Sequence, residues 1–270
     1  MQMNRLEKAD FDKMIIESID EVYCYDQQTD DLLFFFDQIK NGEITSESDV
    51  VYAEGRQGVQ LAAFDRNKTA GFTCENGYVQ AGAIAVQLGS DLVNATDDAK
   101  VEYEVMETVA KAANASTYTI SETPTELVGV YLIGSDGSTS RRLSPGVGEQ
   151  GDDDYEAPEY TVAGKVITLD VDGTAPASVM VHYKAETATG KKIINAGDKF
   201  SKNIKLVINF VAQDPCGGNK YLMQCVMPNA KASGTFSLSA GDDPAVHNFE
   251  ASALLSVCSE DKELFHIVMV

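Results

Sequence analysis

The stretch IKLVINFVAQDPCGGNKYLMQCVMP, residues 204–228, limits what this chain can become. Apolar and polar residues alternate, a Pro-Cys-Gly-Gly-Asn cluster interrupts them, and the alternation resumes. A period of two marks a strand with one buried face, and a turn cluster between two such runs marks a hairpin. The pattern recurs along most of the sequence. EVYCYDQQTDDLLFFFDQI reads as strand, polar turn, strand, and KVEYEVMETV as a single strand. TELVGVYLIGSDGSTSRRLS reads as a hairpin about Ser-Asp-Gly-Ser. YTVAGKVITLDVDGTAPASVMVHYKAET carries three short strands. SGTFSLSA alternates strictly, with Phe236 and Leu238 on one face, and AVHNFEASALLSV and ELFHIVMV close the chain as strands.

Against about a dozen strands stands one interior helix, predicted within residues 80–93 (QAGAIAVQLGSDLV). Ala81, Ile84, Ala85 and Leu88 share its apolar face, and Gly89 is its stop. Strands do not alternate with helices, which excludes a doubly wound parallel sheet. The pattern predicts a mainly β fold: two packed antiparallel sheets, as a sandwich or barrel, with one helix and a long hairpin loop. Residues 4–20 place Leu6, Phe11, Met14, Ile15 and Ile19 at helical spacing. Residues 1–20 therefore read as a short helix or an arm ending in a strand, and residues 21–270 as the β domain, with 117–190 as an inserted region.

The stretch AEGRQGVQLAAFDRNKTAGFTCENG, residues 53–77, tests for an enzyme. Its glycines suggest a phosphate cradle, but no Gly-Lys-Ser/Thr follows and the segment enters a strand instead of a helix. It reads as a glycine-bearing bend, then two strands about an Asp-Arg-Asn-Lys turn at 65–68. The preceding NGEITSESDVVYAEG reads as a long acidic hairpin or loop reaching beyond the core.

Elsewhere no chemistry assembles. Asp152, Asp153 and Asp154 lack the spacing of a calcium loop and read as a solvated segment. Cys24, Cys74, Cys216, Cys225 and Cys258 are odd in number and contain no Cys-x-x-Cys, so they predict reduced, mostly buried thiols. His182, His247 and His266 are scattered and read as strand residues. No Gly-x-Ser-x-Gly or His-Glu-x-x-His occurs. The expectation is a protein that is not an enzyme, with no cofactor and no metal. The net charge of −21 argues against gripping nucleic acid or an anionic membrane. The charged start has no apolar core of a signal peptide, and no apolar run is long enough to span a membrane.

Two blocks carry a more specific signal. The first holds Tyr52, Ala53, Gly55 and Gly58 at a bend, then Phe64, Asp65, Asn67, Lys68, Thr69 and Ala70, then the lone helix. The second holds Pro228, Asn229, Ala230 and Lys231, then Phe236, Ser237, Leu238 and Ser239, then Asp243 and Pro244 before a final strand. Both resemble the major tail tube proteins of long-tailed bacteriophages, over about residues 40–90 and 200–258. Glu54 and Arg56 depart from a bend that is simpler in that family.

The resemblance implies a structural virion protein made in the host cytoplasm, in which six copies form a ring and rings stack into a hollow tail tube. DNA passes through the tube into the host without specific binding, and the tape measure, distal tail and tail terminator proteins are its neighbours. The long hairpin, here about residues 40–58, reaches an adjacent ring. Glu43, Glu47, Asp49, Glu54 and Arg56 are its candidate inter-subunit contacts. An ordinary solvated loop is the alternative for these five. Another virion β-sandwich, such as a head decoration or tail terminator protein, and a carbohydrate- or ligand-binding β-sandwich are the alternatives for the whole.

Overall fold

The computed structural model of the chain describes residues 14–113, 115–134, 137–146, 156–170, 175–215, 218–237, 246–255 and 262–269. The first part contains β1 (Ile15–Asp26), β2 (Leu32–Phe36), β3 (Ile39–Glu54), β4 (Gln60–Asn76) and α1 (Ala81–Leu88). The middle contains β5 (Val93–Asn94), β6 (Val101–Ala110), β7 (Thr117–Thr119), β8 (Glu126–Ile133), β9 (Thr139–Arg142), β10 (Tyr160–Ala163), β11 (Val166–Leu169), β12 (Ser178–Thr187) and β13 (Lys191–Lys192). The last part contains β14 (Asn203–Gln213), β15 (Lys220–Ala232), β16 (His247–Ala253) and β17 (His266–Met269). The fold is mainly β, as its alternation predicts, with several antiparallel sheets and one α-helix among the described residues. It divides into two compact units. One joins residues 1–92 to 193–270, and the other is residues 93–192.

The first unit is built on one eight-stranded antiparallel sheet, ordered β2-β1-β14-β15-β16-β4-β3, with β17 also paired to β15. Alternation sends Val22 and Cys24 of β1, Ile204, Leu206 and Ile208 of β14, and Cys225 and Met227 of β15 into a common core. The sheet curls until Phe34 of β2 meets Phe249 of β16 edge-on at 5.3 Å, with Phe36 at 5.8 Å from the same ring. Each fully buried side chain of this size stabilises the unit by about 1.5–3 kcal/mol. The turn between β1 and β2 is an Asx turn, in which the N–H groups of Gln28 and Thr29 donate to Asp26 Oδ1. Those bonds hold the Asp26 carboxyl below its ordinary range.

Helix α1 lies against β2. It ends where expected: Gly89 adopts a left-handed conformation (φ 68°), and the N–H groups of Gly89 and Ser90 bond to the carbonyls of Val86 and Ala85. A Cβ at Gly89 would lie 1.8 Å from the carbonyl oxygen of Phe200, so glycine is required there for space as well as conformation. The buried face differs from the expected one. Ala83, Ala85, Val86 and Gln87 are inside, while Ala81, Ile84 and Leu88 are half-buried. The helix is short and enclosed on several sides, so the widest apolar stripe does not alone choose its orientation.

The second unit is a sandwich. A four-stranded sheet, β6-β12-β8-β9, packs on a three-stranded one, β10-β11-β7. Val130, Val179, Val181 and Tyr183 from the first meet Tyr118, Tyr160, Ile167 and Leu169 from the second. The Tyr183 hydroxyl donates to Glu107 at 2.7 Å and accepts from the Glu122 N–H at 3.1 Å. Burial and the Glu107 carboxylate together push that phenol up to about 12. The ribbon β5–β13 stands where the chain enters and leaves this unit.

Two local expectations give way, and one left open is decided in part. Of the helix or the arm ending in a strand, the chain from Ile15 onward is strand, because its β-branched run pairs with β14 from Ile15↔Gln213 to Asp26↔Ile204. Residues 1–13 lie outside the described residues, as do Asp152, Asp153, Asp154, Cys216 and Cys258. Asp-Arg-Asn-Lys at 65–68 is not a turn. β4 runs straight through it, and Asn67 takes a positive φ of 52° at a bulge opposite β3. The expected strand in SGTFSLSA is absent over residues 233–237, while its last residues lie outside the described ones. Gln87 of α1 accounts for this. Its Nε2 donates to the Thr235 carbonyl at 3.1 Å, so this backbone serves the helix instead of a ladder.

Candidate assembly arm

Strands β3 and β4 are 16 and 17 residues long and pair along nearly their whole length. Only about the lower two fifths belong to the core sheet, where Ala70, Phe72, Cys74 and Asn76 are buried and β16 covers the other edge of β4. Every residue from 46 to 54 and from 60 to 69 is exposed. At about 3.4 Å per residue, residues 46–54 carry the ribbon about 30 Å beyond the core.

The tip is the glycine-bearing bend expected from the sequence. Arg56, Gln57 and Gly58 form a single 3-10 turn, closed by the Gly55 N–H bonding the Val59 carbonyl at 2.7 Å. Gln57 and Gly58 both have positive φ, at 67° and 75°. The turn delivers one strand into the next and contains no helix start at which a phosphate would sit.

The side chains of the arm are unlike those of a solvated loop. Val51 stands opposite Phe64 and Ala53 opposite Ala62 on one face of the ribbon. Val50 stands opposite Asp65 and Tyr52 opposite Ala63 on the other. Val59 and Leu61 follow at the tip, with Leu61 70% exposed. Both faces are therefore apolar, with nothing among the described residues covering either. Apolar area on two sides of a projecting ribbon is the kind of surface that other molecules contact.

The five residues singled out from the sequence all lie on this hairpin and are all exposed, spread from base to tip. Glu43 is at the base, opposite Thr73. Glu47 pairs in register with Thr69 and Asp49 with Arg66, and Asp49 Oδ2 accepts a hydrogen bond from Asn67 Nδ2 at 3.0 Å, which braces the bulge. Glu54 flanks the turn opposite Gln60, and Arg56 is within the turn. Sequence reasoning chose the charges and missed the apolar residues between them. The signal was present in VVY and VQLAAF: consecutive apolar residues in an extended strand point to both faces, and a strand at the edge of a fold buries only one of them.

Beside the arm, the first unit has a buried polar joint and no evident chemistry. His247 Nε2 lies 2.9 Å from Gln87 Oε1, and the Gln80 N–H donates to His247 Nδ1 at 3.2 Å. The acceptor role of Nδ1 places the proton on Nε2. Burial holds the imidazole pKa below its ordinary value. Cys24, Cys74 and Cys225 are free thiols in the core, with burial pushing Cys74 and Cys225 up to about 12. Thiols so raised are packing groups and not nucleophiles. Among the described residues no three His, Cys, Asp or Glu side chains converge as metal ligands, and no helix is long and apolar enough to cross a membrane.

Two comparisons bear on these observations. A search of curated proteins found no match. The family model described as YomU/Tube protein family matches residues 14–266.

Proposed function

The chain belongs to the YomU/Tube protein family, a phage tail tube protein family, and on that premise we propose that six copies form a ring and that rings stack into a hollow conduit for DNA. Membership makes the chain a structural, non-enzymatic protein of the phage tail. The ring, its order and the passage of DNA are our own reading. The observation that carries it is the arm, a paired ribbon apolar on both faces that projects beyond the core sheet. A monomer gains nothing from such an element. A subunit in a stack gains a long lever with which to hold a neighbour.

Charge supports the conduit. The chain has 42 acidic and 21 basic residues. A wall with that balance repels phosphates, whereas each Lys or Arg that neutralises a phosphate adds affinity and drag. In this reading the tube closes on tape measure, distal tail and tail terminator proteins at its ends and inside it. The first unit is the tube fold proper, and the second is an insertion in it.

Negative-stain electron microscopy of the purified chain, dilute and then concentrated in moderate salt, tests the reading. Sixfold rings or hollow tubes with a regular axial repeat are expected. Dispersed particles at every concentration would count against it.

A further inference from the structure

The first unit contains a large groove at the foot of the arm. It has a volume of about 740 Å³ and is walled by β1, the base of β3, β14, β15 and β17. Ile16, Ile19, Ile44, Met223, Phe265 and Ile267 supply its apolar lining, and Glu43 stands on its wall. Gly42 opens the floor, since a Cβ there would come within 2.7 Å of Ile19 Cδ1. The space is of the size that takes a drug-sized molecule, and so a few side chains.

We propose that this groove receives the arm tip of a second copy of the chain, with Leu61 and Val59 entering it and Arg56 facing Glu43. The inference rests on the tube reading and names the partner surface of the arm. Three observations carry it. Tip and groove are both apolar and, among the described residues, uncovered, and they match in kind. They also match in charge: among the described residues neither Arg56 nor Glu43 has an ion pair, while Glu17, the other acid in the groove, is already paired with Lys220. Finally, the groove is out of reach of its own tip. Residues 43–46 line it, and the hydrogen-bonded ladder that runs on from there carries the tip about 30 Å away. The occupant is therefore not the groove's own tip, and the tip of a second copy supplies the same chemistry. A knob and a socket at different places on one surface join head to tail, and such contacts run on in one direction unless the rotation between copies closes them into a ring.

Two substitutions at exposed positions separate knob from socket. Leu61→Asp spoils the tip and leaves the groove, and Ile16→Asp, at a position 55% exposed, spoils the groove and leaves the tip. Each variant, verified as folded by its thermal midpoint, is expected to sediment as an unstacked species where the wild type stacks. Mixed in equal amounts they keep one working junction, tip of one to groove of the other. The mixture is expected to form closed pairs of double mass and nothing longer. A charge exchange provides a second reading: Arg56→Glu or Glu43→Arg raises the concentration needed for stacking about fivefold, and the double variant restores it. Variants that stack like the wild type, or a mixture that forms no pairs, would overturn the groove and leave the tube standing. A wild type that never assembles under the same conditions sinks the tube reading and the groove with it.

Discussion

His247 shows how one side chain ties distant parts of the sequence together. It is 1% exposed and is the acceptor for Gln80 and the donor to Gln87, whose own Nε2 donates to the carbonyls of Thr235 and Asn248 at 3.1 Å each. Every polar atom of the joint has a partner, which is why it is tolerated inside. Its weakness is acid. Protonating the ring turns Nδ1 from acceptor to donor and breaks the bond from Gln80. The folded pKa is lowered by burial, so the unfolded chain takes the proton first. Stability from this group is full above its unfolded pKa, about 6.5, and is lost as pH falls below it. Denaturant midpoints measured from pH 8 down to 5 should fall across the lower part of that range, and His247→Gln should remove that slope while lowering stability throughout. An unchanged slope in the variant would show that another group carries it. Nothing in the sequence announced this joint. Gln87 is 160 residues from His247, and spacing along a strand or helix says nothing about such partners.

At the scale of elements, β4 places two phenylalanines on opposite sides of a boundary. Phe72 is fully buried in the core, and Phe64 is 53% exposed on the arm. Phe72→Ala should destabilise the first unit by about 3–5 kcal/mol, whereas Phe64→Ala should stay within about 0.5 kcal/mol of the wild type in the isolated chain. Stacking should respond to Phe64 and is the measurement to set beside the melting curves. Equal destabilisation by both would mean that the arm folds back on its own chain. The sequence showed most of the strands because alternation is written locally: β14 and β15, β8 and β9, and β10 to β12 all lie where their patterns put them. It misled wherever local chemistry had two uses. Asp-Arg-Asn-Lys suits a tight turn and also a bulge, and only the partner strand decides between them. SGTFSLSA alternates as a strand should, but the carbonyl of Thr235 is taken by α1. For the arm, the hairpin and its bend were legible while its stickiness was not, because an apolar run looks the same whether it is buried in its own core or waiting for a neighbour.

For the whole molecule, charge and assembly oppose one another. Each chain carries −21, so bringing copies together concentrates repulsion. Salt shortens its reach to about 8 Å at physiological strength, while the apolar contacts proposed for the arm are left intact. Stacking should therefore rise as ionic strength increases from about 10 mM to about 0.15 M, read as the sedimenting fraction. Tubes that form best at the lowest salt would show that the contacts are mainly ionic. A different consequence follows from the small ribbon at the foot of the second unit, where Val93 pairs with Lys192 and Asn94 with Lys191. Paired strands bring the two cut ends of the first unit within about 5 Å of each other. That is a splice site. The hundred or so residues behind it form a cartridge, and a domain whose ends lie equally close is expected to take its place while the sheet that holds the arm keeps its register.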